Sequence, residues 1–116
     1  MNPKYFKDRI FIELDESYEY MKKSLDSIKI NNEWSNIFKL MSDDSYRHAI
    51  ELYKMFMHLY AETKDQDNYM NSIRDVIIEH LAMMTQKIDG YKATYDLISN
   101  SEEMSNGRDT TDEGSS

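Results

Sequence analysis

The spacing of apolar residues over the first thirty positions is the feature that most limits what this chain can fold into. Apolar side chains recur there at alternating intervals of three and four, at Phe11, Leu14, Tyr18, Met21, Leu25 and Ile28. This repeat places them on one stripe of an α-helix. Asn2 and Pro3 mark the helix start, because Asn caps helix N-termini and Pro suits the first turn. The spacing therefore predicts a helix over residues 3–30.

Two further segments show the same repeat. The second predicts a helix over 33–63, with a stripe of Trp34, Ile37, Met41, Ser45, His48, Leu52, Met55 and Leu59. The third predicts a helix over 68–98, with a stripe of Met70, Ile73, Ile77, His80 or Leu81, Met84, Ile88, Tyr91, Tyr95 and Ile98. Gly90 lies inside the third helix and indicates a close helix contact or a kink, because Gly disfavours helix interiors.

The connections between these segments decide the fold class. The chain has only three glycines and one proline, too few for a turn-rich β fold. Short turns place neighbouring helices antiparallel. The sequence therefore predicts an all-α fold, an antiparallel bundle of three long helices.

The apolar repeat stops at Ser99. The 18 residues from there to the end carry five acidic side chains and one arginine, with little apolar material. Such a segment buries too little surface to offset the entropy lost on ordering. The sequence therefore predicts a helical bundle domain over residues 1–98 and a disordered acidic tail over residues 99–116.

Charge and composition exclude several classes of function. The net charge is −8 and no basic stripe stands out, so duplex nucleic acid is not an expected partner. The lack of cysteine excludes disulfides and thiolate metal sites. No apolar run reaches the length of a membrane span, and no signal-peptide core follows the N-terminus. These features predict a cytoplasmic protein without a membrane partner.

One segment resembles a known family. Residues 41–53, MSDDSYRHAIELY, are similar to the Glu-x-x-His helix of ferritin-like and rubrerythrin-like proteins. His48 takes the histidine position, Ala49 the small residue after it and Ser45 the glutamate position. The resemblance covers about residues 10–60. It implies a bundle whose inward carboxylates and histidines hold two metal ions.

His48 has two interpretations, and the resemblance implies the first of them, a metal ligand. Carboxylate and histidine ligands suit iron or manganese. The implied ligands are His48, Asp44, Glu16 and Glu79, in a site that is incomplete or is completed by a second chain. That alternative carries metal oxidase chemistry with it.

The other interpretation gives His48 a structural role. The expected seam of the first helix holds Leu14, Tyr18 and Met21, and Glu13 and Glu16 flank it. Two metal ions need several buried carboxylates, and this seam lacks them. His48 and Ser45 are then expected inside the bundle as a hydrogen-bonded polar layer, with no metal and no cofactor.

Methionine and tyrosine point to the function. The chain has nine of each, more apolar and amphipathic surface than a bundle of this size can hide. Met lines adaptable binding surfaces, and Tyr favours interfaces. No phosphate loop, nucleophile elbow or zinc-ligand spacing is present. The sequence favours a non-enzymatic interaction or assembly module, a homodimer or a subunit of a larger assembly, like small phage or bacterial accessory proteins.

Overall fold

Three α-helices make up a computed structural model of the chain: α1 (Pro3–Ser27), α2 (Asn32–Glu62) and α3 (Asn68–Ser115). The structure describes residues 1–63 and 67–115, with side chains described only as far as Ser101. No strand occurs in these ranges, so the predicted all-α bundle of three long helices is confirmed. Residues 99–101 continue α3 past the predicted end at Ile98. The rest of the predicted disordered tail lies outside the described side chains.

Each helix start has a side-chain cap. The Oδ1 atom of Asn2 accepts from the Lys4 amide at 2.9 Å, and that of Asn31 accepts from the Trp34 amide at 3.0 Å. The Oδ1 atom of Asp67 accepts from the Met70 amide at 2.8 Å. A cap of this kind contributes about 1 kcal/mol. Local chemistry therefore fixes where each helix begins.

Contacts between the helices define an up-down-up arrangement. Ser17 meets Ser42 and Ser24 meets Ser35, so α1 and α2 are antiparallel. Tyr46 meets Thr85 and Tyr60 meets Asn71, so α2 and α3 are antiparallel as well. The main core lies along α1 and contains Phe6, Ile10, Leu14, Ala49, Phe56, Met70, Ile73, Ile77, Met84 and Ile88.

The second helix presents a different face to the core than its stripe predicts. The residues it buries are Ser35, Ser42, Ser45, Ala49 and Phe56. Four apolar members of the predicted stripe are instead exposed: Trp34, Ile37, Met41 and Met55. That part of the predicted seam is wrong, because small residues at intervals of seven give α1 a closer fit to α2 than a large apolar stripe would.

Two further expectations concern α3 and the membrane. The α3 stripe is buried at Met70, Ile73, Ile77, Met84 and Ile88, as predicted. Gly90 makes no close contact, since a Cβ added there would meet nothing within 4 Å. Of the helices in the described ranges, none has both the length and the hydropathy needed to cross a bilayer.

Candidate functional site: the outer face of α2

Two serine pairs draw α1 and α2 together. The Ser17 hydroxyl donates to the Ser42 carbonyl at 2.8 Å, and the Ser42 hydroxyl donates back to the Ser17 carbonyl at 2.7 Å. One heptad further along, Ser24 and Ser35 repeat the exchange at 2.8 and 2.6 Å. All four side chains are fully buried. Because every hydroxyl is hydrogen-bonded, this polar seam avoids the cost of unsatisfied buried groups.

The serine seam has a consequence for the opposite side of α2. Small residues occupy the side that faces α1 in the first half of α2, so the large apolar residues of this half lie on other sides of the helix. Four of them, Trp34, Ile37, Leu40 and Met41, together with Ile30 in the turn before α2, form the exposed surface that we term the outer apolar face. The exposed fractions in that order are 58, 47, 54, 36 and 82%. On α2 the spacing of these residues is three or four, so they share one side of the helix.

The third helix does not cover this face. It contacts α2 through Lys39, Asp43 and Tyr46, which lie on another side of α2. Lys92 of α3 reaches Asp43 at 2.5 Å, and the Tyr46 hydroxyl bonds to Thr85 at 2.8 Å. A surface groove of about 340 Å³ runs over the uncovered face and is lined by Trp34, Ile37 and Phe38. Exposed large apolar residues grouped on one side of a helix are typical of a binding site.

A charged group borders the face where α1 and α2 meet. Glu13 is buried, and its Oε1 atom accepts from Arg9 Nη2 at 2.7 Å. Its Oε2 atom lies 3.5 Å from His48 Nδ1. The His48 side chain is 52% exposed. The expectation that His48 lies inside the bundle with Ser45 is therefore wrong, although Ser45 itself is buried. The close α1–α2 approach has room for a hydroxymethyl group but not for an imidazole.

The implied metal ligands do not converge within this chain. Asp44 forms an exposed ion pair with Arg47 at 3.4 Å. Glu16 is exposed on α1. Glu79 of α3 lines a groove together with His80 of α3 and Phe11 of α1. In the described part of the chain, no group of three or more His, Asp or Glu side chains is placed to hold a metal ion. A site completed by a second chain stays a prediction.

Sequence reasoning missed two parts of this site. It placed Glu13 on the flank of the seam, whereas the carboxylate is buried against Arg9 and His48. The available signal was Arg9 four residues before Glu13, the spacing of a helical ion pair. It also missed the serine seam, whose signal was the seven-residue spacing of Ser17 and Ser24 and of Ser35 and Ser42.

The remaining aromatic contacts hold α1 against α3. His80 stacks on Phe11 with ring centroids 3.9 Å apart, and Tyr18 packs on Tyr91 at 5.4 Å. The Tyr18 and Tyr91 hydroxyl oxygens are 3.3 Å apart. This hydrogen bond, together with burial, raises the pKa of Tyr91 above the ordinary tyrosine value. These contacts stabilise the bundle on the side away from the outer apolar face.

Comparison with protein-family models, with curated proteins and with solved structures finds no match for this chain. The outer apolar face and the charged group of Arg9, Glu13 and His48 are therefore the features from which a function can be argued. The first offers a large apolar contact area on a rigid helix. The second offers one buried carboxylate, already paired with a guanidinium.

Proposed function

We propose that this chain is a non-enzymatic helical assembly module that binds a protein through the outer apolar face of α2. The occupant is a second copy or a larger partner. The observation that carries the proposal is the exposure of Ile30, Trp34, Ile37, Leu40 and Met41, which follow one another at intervals of one to four residues. Burial of apolar area contributes about 25 cal/mol per Å². Covering this face is therefore a substantial source of binding free energy.

The helix cap and the serine pair next to Trp34 also favour a binding role for the outer apolar face. Protein interfaces draw most of their affinity from a few central anchors, among which Trp is enriched. Trp34 lies in the first turn of α2, next to its cap Asn31 and beside the buried Ser24–Ser35 pair. The anchor is therefore carried by a capped helix that is bonded to its neighbour. Such preorganisation lowers the entropy lost on binding.

A matched pair of variants tests the proposal. Ile37 and Val76 are β-branched residues with exposed fractions of 47 and 43%, on α2 and α3 respectively. We expect Ile37→Asp to abolish self-association and partner binding, because it places a charge in the centre of the face. Val76→Asp should change neither. The readouts are light scattering after size exclusion and mass spectrometric identification of proteins that co-purify with the native chain.

The opposite result would contradict the proposal. If both variants behave like the native chain, or if Val76→Asp is the one that loses assembly, then α2 does not carry the binding surface. Circular dichroism on each variant controls for folding. Both positions are on the surface, so we expect native helical spectra from both proteins.

One observation favours a second candidate function, a ferritin-like metal protein whose site is completed between subunits. Glu13 of α1 and His48 of α2 face each other with 3.5 Å between Oε2 and Nδ1, as ligands from two helices of that family would. The Arg9 cation 2.7 Å from Oε1 weighs against it, because it already neutralises the carboxylate. Elemental analysis for iron and manganese tests this candidate. Metal that is lost in His48→Ala but kept in His58→Ala supports it, and metal-free native protein contradicts it.

A further inference from the structure

We infer that the occupant of the outer apolar face is a second copy of this chain, whose α2 packs antiparallel on α2 across a two-fold axis at Leu40. This inference rests on the proposed function, since it identifies the partner of the same surface. Two-fold pairing is the commonest symmetry of protein oligomers, and it requires a surface that is complementary to itself. The outer face of α2 meets that requirement in its apolar residues and in its charges.

The apolar residues match themselves in this register. With a two-fold axis beside Leu40, residues of the two antiparallel helices pack together when their residue numbers add up to about 78–80, since a difference of two shifts a residue by only about 3 Å along the helix. With Leu40 beside the axis, Leu40 packs against Leu40 of the second copy, and Ile37 packs against Met41 of the second copy. Trp34 comes opposite Asp44 of the second copy, so its indole N–H can donate to an exposed carboxylate. All the large apolar residues of α2 in the face therefore become buried.

The charges at the edge of the face match as well. Glu33 and Arg47 each lie seven residues from Leu40, on opposite sides, and both are exposed. A two-fold axis at Leu40 places Glu33 against Arg47 of the second copy, and by symmetry it does so twice. Arg47 has only a 3.4 Å contact to Asp44 within its own chain. Its guanidinium has five N–H donors, so it can bond to Glu33 of the second copy without losing Asp44.

Neighbouring registers fit less well. Moving the axis by half a heptad towards the C-terminus raises the sum of paired residue numbers to about 85–87, which places Leu40 opposite Arg47 and Trp34 opposite Glu51. Moving it equally towards the N-terminus leaves an overlap of only about two turns, because α2 begins at Asn32. The Leu40 register gives an overlap of about four turns, or roughly 22 Å. Apolar contact, charge and overlap thus select the same axis.

The rest of the bundle is compatible with this pairing. Lys39, Asp43 and Tyr46 contact Tyr95, Lys92 and Thr85 of α3 and lie away from the outer face. The dimer centre would then consist of two serine-linked α1–α2 hairpins side by side. Four helices packed in this way resemble a helical bundle, in which each helix buries its apolar sides.

Cysteine cross-linking tests the axis directly, because the chain contains no native cysteine. A disulfide needs Cα atoms about 4.4–6.8 Å apart. We expect Leu40→Cys to form a covalent dimer under mild oxidation, since the axis brings this position next to its own copy. Met55→Cys, exposed to 53% on the same helix, should stay uncoupled. A mixture of Ile37→Cys and Met41→Cys chains should couple with each other more than either does alone.

A charge exchange tests the predicted ion pairs independently. Glu33→Lys and Arg47→Glu should each weaken the dimer by about tenfold, because each turns two symmetric attractions into repulsions. The double variant Glu33→Lys/Arg47→Glu restores the attraction and should return the dissociation constant to within about threefold of the native value. Lys54→Glu is the control, since Lys54 is 67% exposed on α2 and outside the overlap. Sedimentation velocity gives the dissociation constants.

The outcomes separate this inference from the function on which it rests. A dimer that is lost in Ile37→Asp but shows no Leu40→Cys coupling and no rescue by charge exchange overturns the Leu40 axis and leaves the assembly function standing. A strict monomer up to high micromolar concentration overturns the second copy as occupant. If such a monomer also binds no protein in an Ile37-dependent way, the proposed function fails too.

Discussion

Ser17 and Ser42 exchange hydrogen bonds across the α1–α2 seam, each hydroxyl donating to the backbone carbonyl of the other residue at 2.8 and 2.7 Å. At this seam α2 turns small residues towards α1, and the large apolar residues Trp34, Ile37 and Met41 stay exposed. The exchange explains how α2 can bury its small polar side and still pack closely on α1. Because the serine side of α2 faces α1, the apolar residues on its other side are exposed and form the outer apolar face.

Enlarging one of these serines should therefore destabilise the fold. We expect Ser42→Leu to lower the free energy of unfolding by about 2–3 kcal/mol, because the added side chain overpacks the seam and removes a buried donor. Ser72→Leu is the control, since Ser72 is exposed on α3, and it should change stability by less than about 0.5 kcal/mol. Urea denaturation followed by circular dichroism measures both. Equal effects at the two positions would contradict the close seam.

Gly90 offers a test in the stabilising direction. A Cβ at this position meets no atom within 4 Å, and its backbone has no positive φ. We therefore expect Gly90→Ala to raise the free energy of unfolding by about 0.5–1 kcal/mol through lower unfolded-state entropy and better helix propensity. The reverse change, Ala93→Gly on the same exposed stretch, should lower it by a similar amount. A loss of stability in Gly90→Ala would mean that another contact uses the glycine.

Glu13 should matter more to stability than His48 does. Glu13 is buried and accepts a 2.7 Å hydrogen bond from Arg9, whereas the His48 side chain is half exposed. We expect Glu13→Gln to cost about 1 kcal/mol, because the bond to the guanidinium loses its charge assistance. His48→Leu should cost less than about 0.5 kcal/mol and keep the helical spectrum. Thermal and urea unfolding of both variants would show the order, and a larger cost for His48→Leu would reverse the assignment.

The Tyr18–Tyr91 pair predicts a loss of stability at alkaline pH. The hydrogen bond raises the pKa of Tyr91 in the folded chain, so above about pH 10 the unfolded chain releases this proton first. The unfolded state then binds fewer protons, and the free energy of unfolding falls as pH rises. The stability difference between the native chain and Tyr91→Phe should therefore be constant below pH 9 and shrink above pH 10. Tyr69→Phe, at an exposed position on the same helix, is the control variant.

The acidic C-terminal segment should be dispensable for folding. Residues 102–116 contain one methionine and no other large apolar residue, so they have little surface to contribute to a core. We expect truncation after Ser101 to leave the melting temperature within about 2 °C. Differential scanning calorimetry of both forms makes the comparison. A drop of many degrees would show that the segment docks on the bundle.

The sequence by itself determined the parts of this fold that depend on neighbouring residues. Asn2 and Pro3 mark a helix start because a cap acts on amides two or three residues away. The α3 stripe is also local, since large apolar side chains at intervals of three and four make one face whatever packs on it. The scarcity of glycine and proline is likewise visible in the sequence alone, and it argued against a turn-rich β fold.

Only the tertiary structure decided which side of α2 faces inwards. A serine gains from burial only when a second helix brings a carbonyl within hydrogen-bonding distance, and no local pattern shows that Ser42 will meet Ser17. Apolar periodicity alone therefore selected the side with Trp34 and Ile37, which the fold leaves exposed. The pairing of Glu13 with His48 has the same origin, because it joins residues on two helices and depends on how closely those helices approach.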